Sequence, residues 1–182
     1  MAAVVVTPPE PFLSLDEAKA HLRVDHDDDD VLIGALIAAA CGALDGPQGW
    51  LGRAVGEQTI SETADWFADC MRLSLPPVTA ITSIEYVDGD GATQTLDGAV
   101  YVLGTDGRVR LAPDQSWPSV RAQREAVTIT YTAGYATVPA PIKAAALLLL
   151  GDLYANRETG IAGDLKPSPT IEMLISPYRT WA

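Results

Sequence analysis

Hydrophobic positions near the N-terminus repeat at helical spacing. Leu15, Ala18 and Leu22 fall on one face, and Ser14 with Glu17 three residues later has the form of a capping box. A second helical pattern follows in DDDDVLIGALIAAACGALDG, and its apolar positions are Leu32, Ile33, Leu36, Ile37, Ala40 and Leu44. A Gly-Pro pair ends this pattern. The first third of the chain is therefore predicted to form two helices.

From about Gln58 the spacing changes to the alternation that is typical of strands. The segments QTISETADWF, CMRLSLPPV and AVTITYTAGY are predicted strands. Alternating segments also flank the turn sequences Asp88–Gly91 and Asp106-Gly107, which predict two hairpins. The middle of the chain is therefore predicted to be a small antiparallel unit of about five or six strands.

The helical spacing returns in VPAPIKAAALLLLGDLYANRE, with Pro141 in the first turn. Its predicted apolar stripe is Ile142, Ala145, Ala146, Leu149, Leu153 and Tyr154. Leu147, Leu148 and Leu150 make most of the remaining surface apolar as well. A helix that is apolar nearly all round packs on several sides, and one of those sides is a candidate contact with a neighbouring subunit.

The predicted fold class is α+β: a helical body with an inserted small antiparallel β unit and an extended C-terminal arm. Residues 1–57 are predicted to form the N-terminal helical part of the body and residues 58–137 the β insertion. Residues 138–158 are predicted to complete the body. Residues 159–182 contain a Gly- and Pro-rich linker and the arm TIEMLISPYRTWA.

The composition permits a core and argues against DNA binding. The chain has 182 residues, of which 48% are hydrophobic, and a formal net charge of -12. Proteins that bind DNA through its phosphates need lysine and arginine on a surface. An acidic surface repels DNA, so the charge still permits DNA to pass close by without being bound.

Cysteines and apolar runs place the protein among soluble chains made in the cytoplasm. Cys41 and Cys70 have no zinc-site spacing, and Cys41 is predicted to be a buried free thiol. The N-terminal MAAVVVTPPEPF lacks the basic start of a signal peptide. The longest apolar run, Ala144 to Leu150, is too short to span a bilayer.

The acidic run DHDDDD, from Asp25 to Asp30, is the main candidate for chemistry. Carboxylates with His26 suggest a divalent cation site, but consecutive aspartates point in different directions and the EF-hand glycine and glutamate are missing. The interpretation as a helix N-terminus is favoured. We expect no catalytic, cofactor or metal residues. Two alternatives remain open: a small metal-dependent hydrolase that uses this run, and a β-sheet ligand-binding module.

Several segments, in their order along the chain, resemble one known family. They are LSLDEAKAHLRVD, DDDDVLIGALIAAA, GRAVGEQTI, LPPVTAITSIEYVDGDGATQTL, VTITYTAGYATVPAPIKAAALLLLGDLYANRE and MLISPYR. This sequence is similar to the head-tail connector (adaptor) proteins of long-tailed phages and phage-like gene transfer agents, over nearly the whole chain.

The resemblance implies a structural protein of the head-tail neck, made in the bacterial cytoplasm, with no cofactor, catalytic residue or membrane contact. It implies a ring, generally of twelve subunits, beneath the portal protein at the DNA exit of the capsid. A head-closure (stopper) protein or a tail-terminator protein would lie below this ring. Double-stranded DNA would pass through without specific binding.

The resemblance also implies a C-terminal arm that reaches the portal. In this sequence the arm corresponds to Leu174, Pro177, Tyr178 and Arg179. We add Trp181, because a large aromatic residue beside the chain end has no core to join unless a partner supplies one. Pro167 and Pro169 precede the arm, which departs from the family pattern. The alternative is that the arm folds back onto its own body.

Overall fold

The computed structural model describes residues 3–156 and 169–180. The chain divides into two compact units. The sheet unit comprises Met1–Pro9 and Glu57–Gly134, and the helical unit comprises Glu10–Gly56 and Tyr135–Ala182. Strands and helices therefore both contribute, and the α+β prediction is confirmed.

The sheet unit contains eight strands in the part of the chain that the structure describes. They are β1 (Ala3–Thr7), β2 (Gln58–Ala64), β3 (Cys70–Arg72), β4 (Val78–Val87), β5 (Thr93–Thr95), β6 (Tyr101–Leu103), β7 (Arg108–Leu111) and β8 (Val127–Ala133). A five-stranded sheet has the order β1-β2-β8-β4-β5, and a three-stranded sheet has the order β3-β7-β6. All the pairings are antiparallel.

Strand β8 organises the larger sheet, because it pairs with β2 on one side and β4 on the other. Its side chains alternate, with Val127, Ile129, Tyr131 and Ala133 buried. This alternation is the period of two that the sequence predicted. The Tyr131 hydroxyl donates a hydrogen bond to the buried Glu62 carboxylate, which also accepts one from the Ser74 N–H at 2.9 Å.

Both predicted hairpins are present. In the β4–β5 turn, Asp88 Oδ1 accepts hydrogen bonds from the backbone N–H of Asp90 at 3.0 Å and of Ala92 at 2.9 Å. In the β6–β7 turn, Gly107 has a φ of +72°, a conformation that glycine adopts without strain. The predicted turn at Asp88–Gly91 is therefore closed by hydrogen bonds to the Asp88 side chain.

Strand β1 was not predicted from the sequence, and residues 1–57 were predicted to belong to the helical body. Ala3–Thr7 instead pairs with β2, so the first residues of the chain belong to the sheet unit. A short apolar segment becomes a strand only when a distant strand pairs with it, and local periodicity does not report that pairing.

The helical unit contains α1 (Leu15–Leu22), α2 (Asp30–Leu44), α3 (Ala140–Ala155) and α4 (Pro169–Ile175). The capping box at Ser14 and Glu17 is confirmed, with both reciprocal hydrogen bonds present. The buried side chains of these helices and their loops form one core, which includes Leu13, Ala18, Ile33, Ile37, Ala40, Leu44, Leu51, Val55, Ile142, Ala145, Ala146, Leu150 and Ile175. Cys41 is buried there as a free thiol, as predicted, and burial raises its pKa.

Helix α3 contacts α1, α2 and α4. Ile142, Ala145 and Ala146 are buried as predicted, but Leu153 is 40% exposed and Leu150 is completely buried instead. A helix that is apolar nearly all round does not indicate by itself which of its leucines faces the core, so packing decides. Among the helices within residues 3–156 and 169–180, none has the length and hydropathy needed to cross a membrane.

Candidate functional site

The C-terminal segment, residues 169–180, lies against the rest of the helical unit. Helix α4 continues into a 3-10 helix, Ser176–Tyr178. Ile175 is 2% exposed, and the half-buried side chains of Leu174 and Tyr178 pack against the same core. The segment is therefore anchored by apolar burial.

The surface that receives the end of this segment is the loop of residues 45–56, which follows α2. Asp45 Oδ1 accepts a hydrogen bond from the Val55 N–H at 2.8 Å, and Asp45 Oδ2 accepts one from the Gly56 N–H at 2.9 Å. The Gly46 N–H donates to the Arg53 carbonyl at 2.9 Å. These bonds hold the loop in one conformation.

Two contacts attach Arg179 and Thr180 to this loop. The Thr180 N–H donates to the Leu51 carbonyl at 2.9 Å. The Arg179 guanidinium carbon lies 4.3 Å from the centroid of the Trp50 ring, a cation–π arrangement that contributes about 0.5–1 kcal/mol at an exposed site.

Arg53 connects the loop to Thr180 and to Tyr135, which precedes α3. Its Nη2 donates to Thr180 Oγ1 at 3.3 Å, and its Nη1 donates to the Tyr135 hydroxyl. The Tyr135 N–H in turn donates to the Val55 carbonyl at 3.0 Å. Arg53 thereby links parts of the helical unit that are far apart in sequence.

An open cleft of about 500 Å³ adjoins these contacts. Its lining is mostly apolar and comprises Ala43, Leu44, Trp50, Leu149, Ile171, Glu172, Ile175 and Arg179. Glu172 and Arg179 are the charged residues of this mostly apolar lining. Such a cleft is better suited to bind an apolar side chain of a partner than to catalyse a reaction that requires paired acids and bases.

Four of the five predicted partner-binding residues are placed in this segment. Leu174, Pro177, Tyr178 and Arg179 follow one another along the surface of the helical unit, whereas Trp181 lies outside the described residues. For residues 169–180 the structure has the fold-back arrangement, not a projecting arm. The receiving surface, formed by Trp50, Leu51 and Arg53, was not predicted from the sequence.

Gly52 lies where Thr180 approaches this surface. Its φ is +61°, and a Cβ there would lie 3.1 Å from the Thr180 carbonyl oxygen. Glycine is therefore favoured both by the backbone conformation and by the close approach of the Thr180 carbonyl.

Replacing Gly52 with Ala is expected to destabilise the isolated protein by about 1–2 kcal/mol, because alanine is strained at positive φ and the Thr180 backbone must move. The matched control is Gly42→Ala in α2, where a Cβ meets no atom within 4 Å. That change is expected to stabilise the protein by about 0.5–1 kcal/mol. Thermal unfolding of both variants measures the difference, and equal melting temperatures would contradict the close approach.

The acidic run is engaged in separate contacts. Lys19 Nζ lies 2.7 Å from both Asp27 Oδ1 and Asp30 Oδ1, and Lys19 holds the pKa of Asp27 below its usual range. The Tyr154 hydroxyl donates to Asp29 Oδ2 at 2.5 Å. Asp29 occupies the N-cap position of α2, but its side chain does not cap the helix. Among the residues that the structure describes, no three His, Cys, Asp or Glu side chains converge as a metal site would require.

We expect calcium, magnesium and manganese to bind no more tightly than about millimolar, the weak end of the range for oxygen-ligand sites. The physical reason is that Lys19 already occupies the space between Asp27 and Asp30 as their cation, whereas Asp29 is hydrogen-bonded to Tyr154. Isothermal titration calorimetry measures this directly. A micromolar site would support the hydrolase alternative.

Comparison with known proteins gives one family and several solved structures. The sequence model of the family described as Head completion protein matches residues 11–161. Among curated protein sequences, none matches the chain.

Three of the similar solved structures are chains of gene transfer agent particles. One is from the neck of an empty particle computed with C6 symmetry, with a TM-score of 0.79 and 24% identity. Another is from the virion of a native particle, with a TM-score of 0.78 and 25% identity. A third, from the neck of a native particle computed with C12 symmetry, has a TM-score of 0.72 and 23% identity. Each alignment covers 100% of this chain and 97% of the other.

Proposed function

The chain belongs to the head completion protein family, and from that premise we propose that it is a head-tail connector in the neck of a phage or phage-like particle. The single observation that carries the proposal is the family match over residues 11–161. The similarity to gene transfer agent neck and virion chains over 97% of their length supports it. The role is structural: the subunit joins the capsid to the tail and performs no catalysis.

The proposed assembly is a homo-oligomeric ring of twelve copies beneath the portal protein. The C12 symmetry of one similar neck structure supports this number. A head-closure or tail-terminator protein would bind the opposite side of the ring. The ring would line the DNA channel, and a net charge of -12 per chain suits a wall that does not retain DNA phosphates.

The C-terminal segment is the proposed portal-binding element, through Leu174, Pro177, Tyr178, Arg179 and Trp181. Tyrosine, tryptophan and arginine dominate interface hot spots because they combine large contact areas with polar groups. In the described structure Arg179 contacts Trp50, and the Thr180 N–H bonds to Leu51. Portal binding therefore requires the segment to exchange these internal contacts for contacts with the portal.

The proposal is tested by mixing the purified protein with isolated portal rings. Electron microscopy of the mixture is expected to show a second ring on one face of the portal, and native mass spectrometry is expected to give twelve added copies. Portal rings alone are the control. Absence of binding, or binding of scattered copies without a ring, would contradict the proposal.

A further inference from the structure

The sheet unit has an open cleft of about 580 Å³ beside the segment that connects β7 to β8. Its lining includes Trp66, Val120, Arg121, Gln123 and Arg124. The Trp66 side chain is 65% exposed. An exposed tryptophan beside two arginines has the composition of an interaction surface.

Backbone hydrogen bonds hold the cleft in place. The Glu125 N–H donates to Asp65 Oδ1 at 2.9 Å, which ties the connecting segment to the residue before Trp66. The Arg121 N–H donates to the Val87 carbonyl at 2.9 Å, which ties the same segment to the end of β4. The two sides of the cleft therefore have fixed positions within the sheet unit.

Aromatic packing supports the same region from within. The Phe67 ring stacks on the Trp117 ring with centroids 4.8 Å apart and an interplanar angle of 3°, and it meets Tyr86 edge-on at 5.8 Å. The Phe67 ring thus packs between the rings of Trp117 and Tyr86, whereas the adjacent Trp66 side chain is exposed to solvent. A large aromatic side chain exposed beside a well-packed cluster has apolar area available for a partner.

The cleft carries a net positive charge on an acidic protein, because its lining has two arginines and one carboxylate, Asp65. Arg121 and Arg124 are exposed, and within the part of the chain that the structure describes neither forms an ion pair with a carboxylate. The whole chain has 24 acidic and 12 basic residues. Two unpaired arginines on an acidic protein favour an acidic partner surface.

The helical unit carries a surface with the complementary character. In the turn between α1 and α2, the Asp28 side chain is 95% exposed, and its nearest ionic partner, His26 Nδ1, is 3.9 Å away. Val31, one turn further on, is 89% exposed. This corner therefore offers a carboxylate that could pair with the two arginines and an exposed apolar side chain that could pack against Trp66.

We propose that the Trp66–Arg121–Arg124 cleft of one subunit binds the Asp28–Val31 corner of the next copy of this chain. Repeated head-to-tail contacts that close into a ring need two different, complementary surfaces on every subunit, and the cleft and the corner provide such a pair. This inference rests on the proposed ring. In this contact the two arginines face Asp28 of the neighbouring copy, and Trp66 packs against its Val31.

Charge reversal and its rescue test the proposal on portal rings at low salt, where screening is weak. Arg124→Glu and Asp28→Lys are each expected to raise about tenfold the protein concentration needed to fill the ring, because like charges then face each other. The double variant Arg124→Glu/Asp28→Lys reverses both sides and is expected to fill the ring like wild type. Trp66→Ala is expected to weaken filling without rescue.

The matched controls are Arg72→Glu and Asp152→Lys. Both residues are exposed and lie outside the cleft and the corner, so these variants are expected to behave as wild type. Melting temperatures confirm that each variant folds. If single reversals fill the ring normally, or the double variant is not rescued, the surface assignment is wrong and the connector proposal survives. If wild-type protein forms no ring on the portal, both fail.

Discussion

Replacing Leu150 with Asp is expected to prevent the helical unit from folding. Leu150 is completely buried in the core of α3, so the variant would bury a carboxylate without a partner. The expected cost exceeds about 4 kcal/mol, a large part of the 5–15 kcal/mol by which domains are usually stable. Circular dichroism and thermal unfolding of the purified variant measure the loss.

Two other leucines of the same helix provide graded comparisons. Leu153 is 40% exposed, so Leu153→Asp is expected to cost less than about 1 kcal/mol. Leu148 is half-buried, and Leu148→Asp is expected to impair folding or incorporation into particles. Normal particles from both the Leu148 and Leu150 variants would show that α3 is neither a core nor an interface element.

Deleting Ser176–Ala182 is expected to lower stability and to abolish retention on portal rings. The deletion removes the packing of Tyr178, the Arg179–Trp50 contact and the Thr180 N–H bond to Leu51. After the regained chain entropy is subtracted, the net loss is about 2 kcal/mol, or about 4–8 °C in melting temperature. Particles carrying the deletion are expected to be heads without tails.

Gly52→Ala separates the two roles of this segment. It loosens the internal contact at Thr180 but leaves every side chain of the segment in place. Below its melting temperature, this variant is expected to bind portal rings at least as well as wild type, whereas the deletion does not bind. If the deletion variant unfolds more easily and still binds the portal, the segment is only an internal strap and its assignment as the portal-binding element is wrong.

Much of the fold was accessible from the sequence where local patterns agree with the final packing. The capping box at Ser14 and Glu17 starts α1, and the alternation of β8 identifies its buried face. The Asp-Gly turns identify both hairpins, because turn geometry is a short-range property. These elements need no distant partner to be recognised.

Two features depended on contacts between residues far apart in sequence. Ala3–Thr7 forms strand β1 because it hydrogen-bonds to the edge of β2. The apolar run itself does not indicate which strand it will pair with. The fold-back of the C-terminal segment depends on Trp50, Leu51 and Arg53, which are more than a hundred residues away from Thr180. The aromatic and cationic residues of the segment were identifiable from its sequence, but their internal partners were not.

Electron microscopy of purified particles that carry a labelled copy of the protein shows whether this chain is a connector subunit of the neck. We expect the label at the junction between capsid and tail, arranged as a ring beneath the portal. Label on the capsid shell or along the tail tube, or particles that lack the protein altogether, would contradict it.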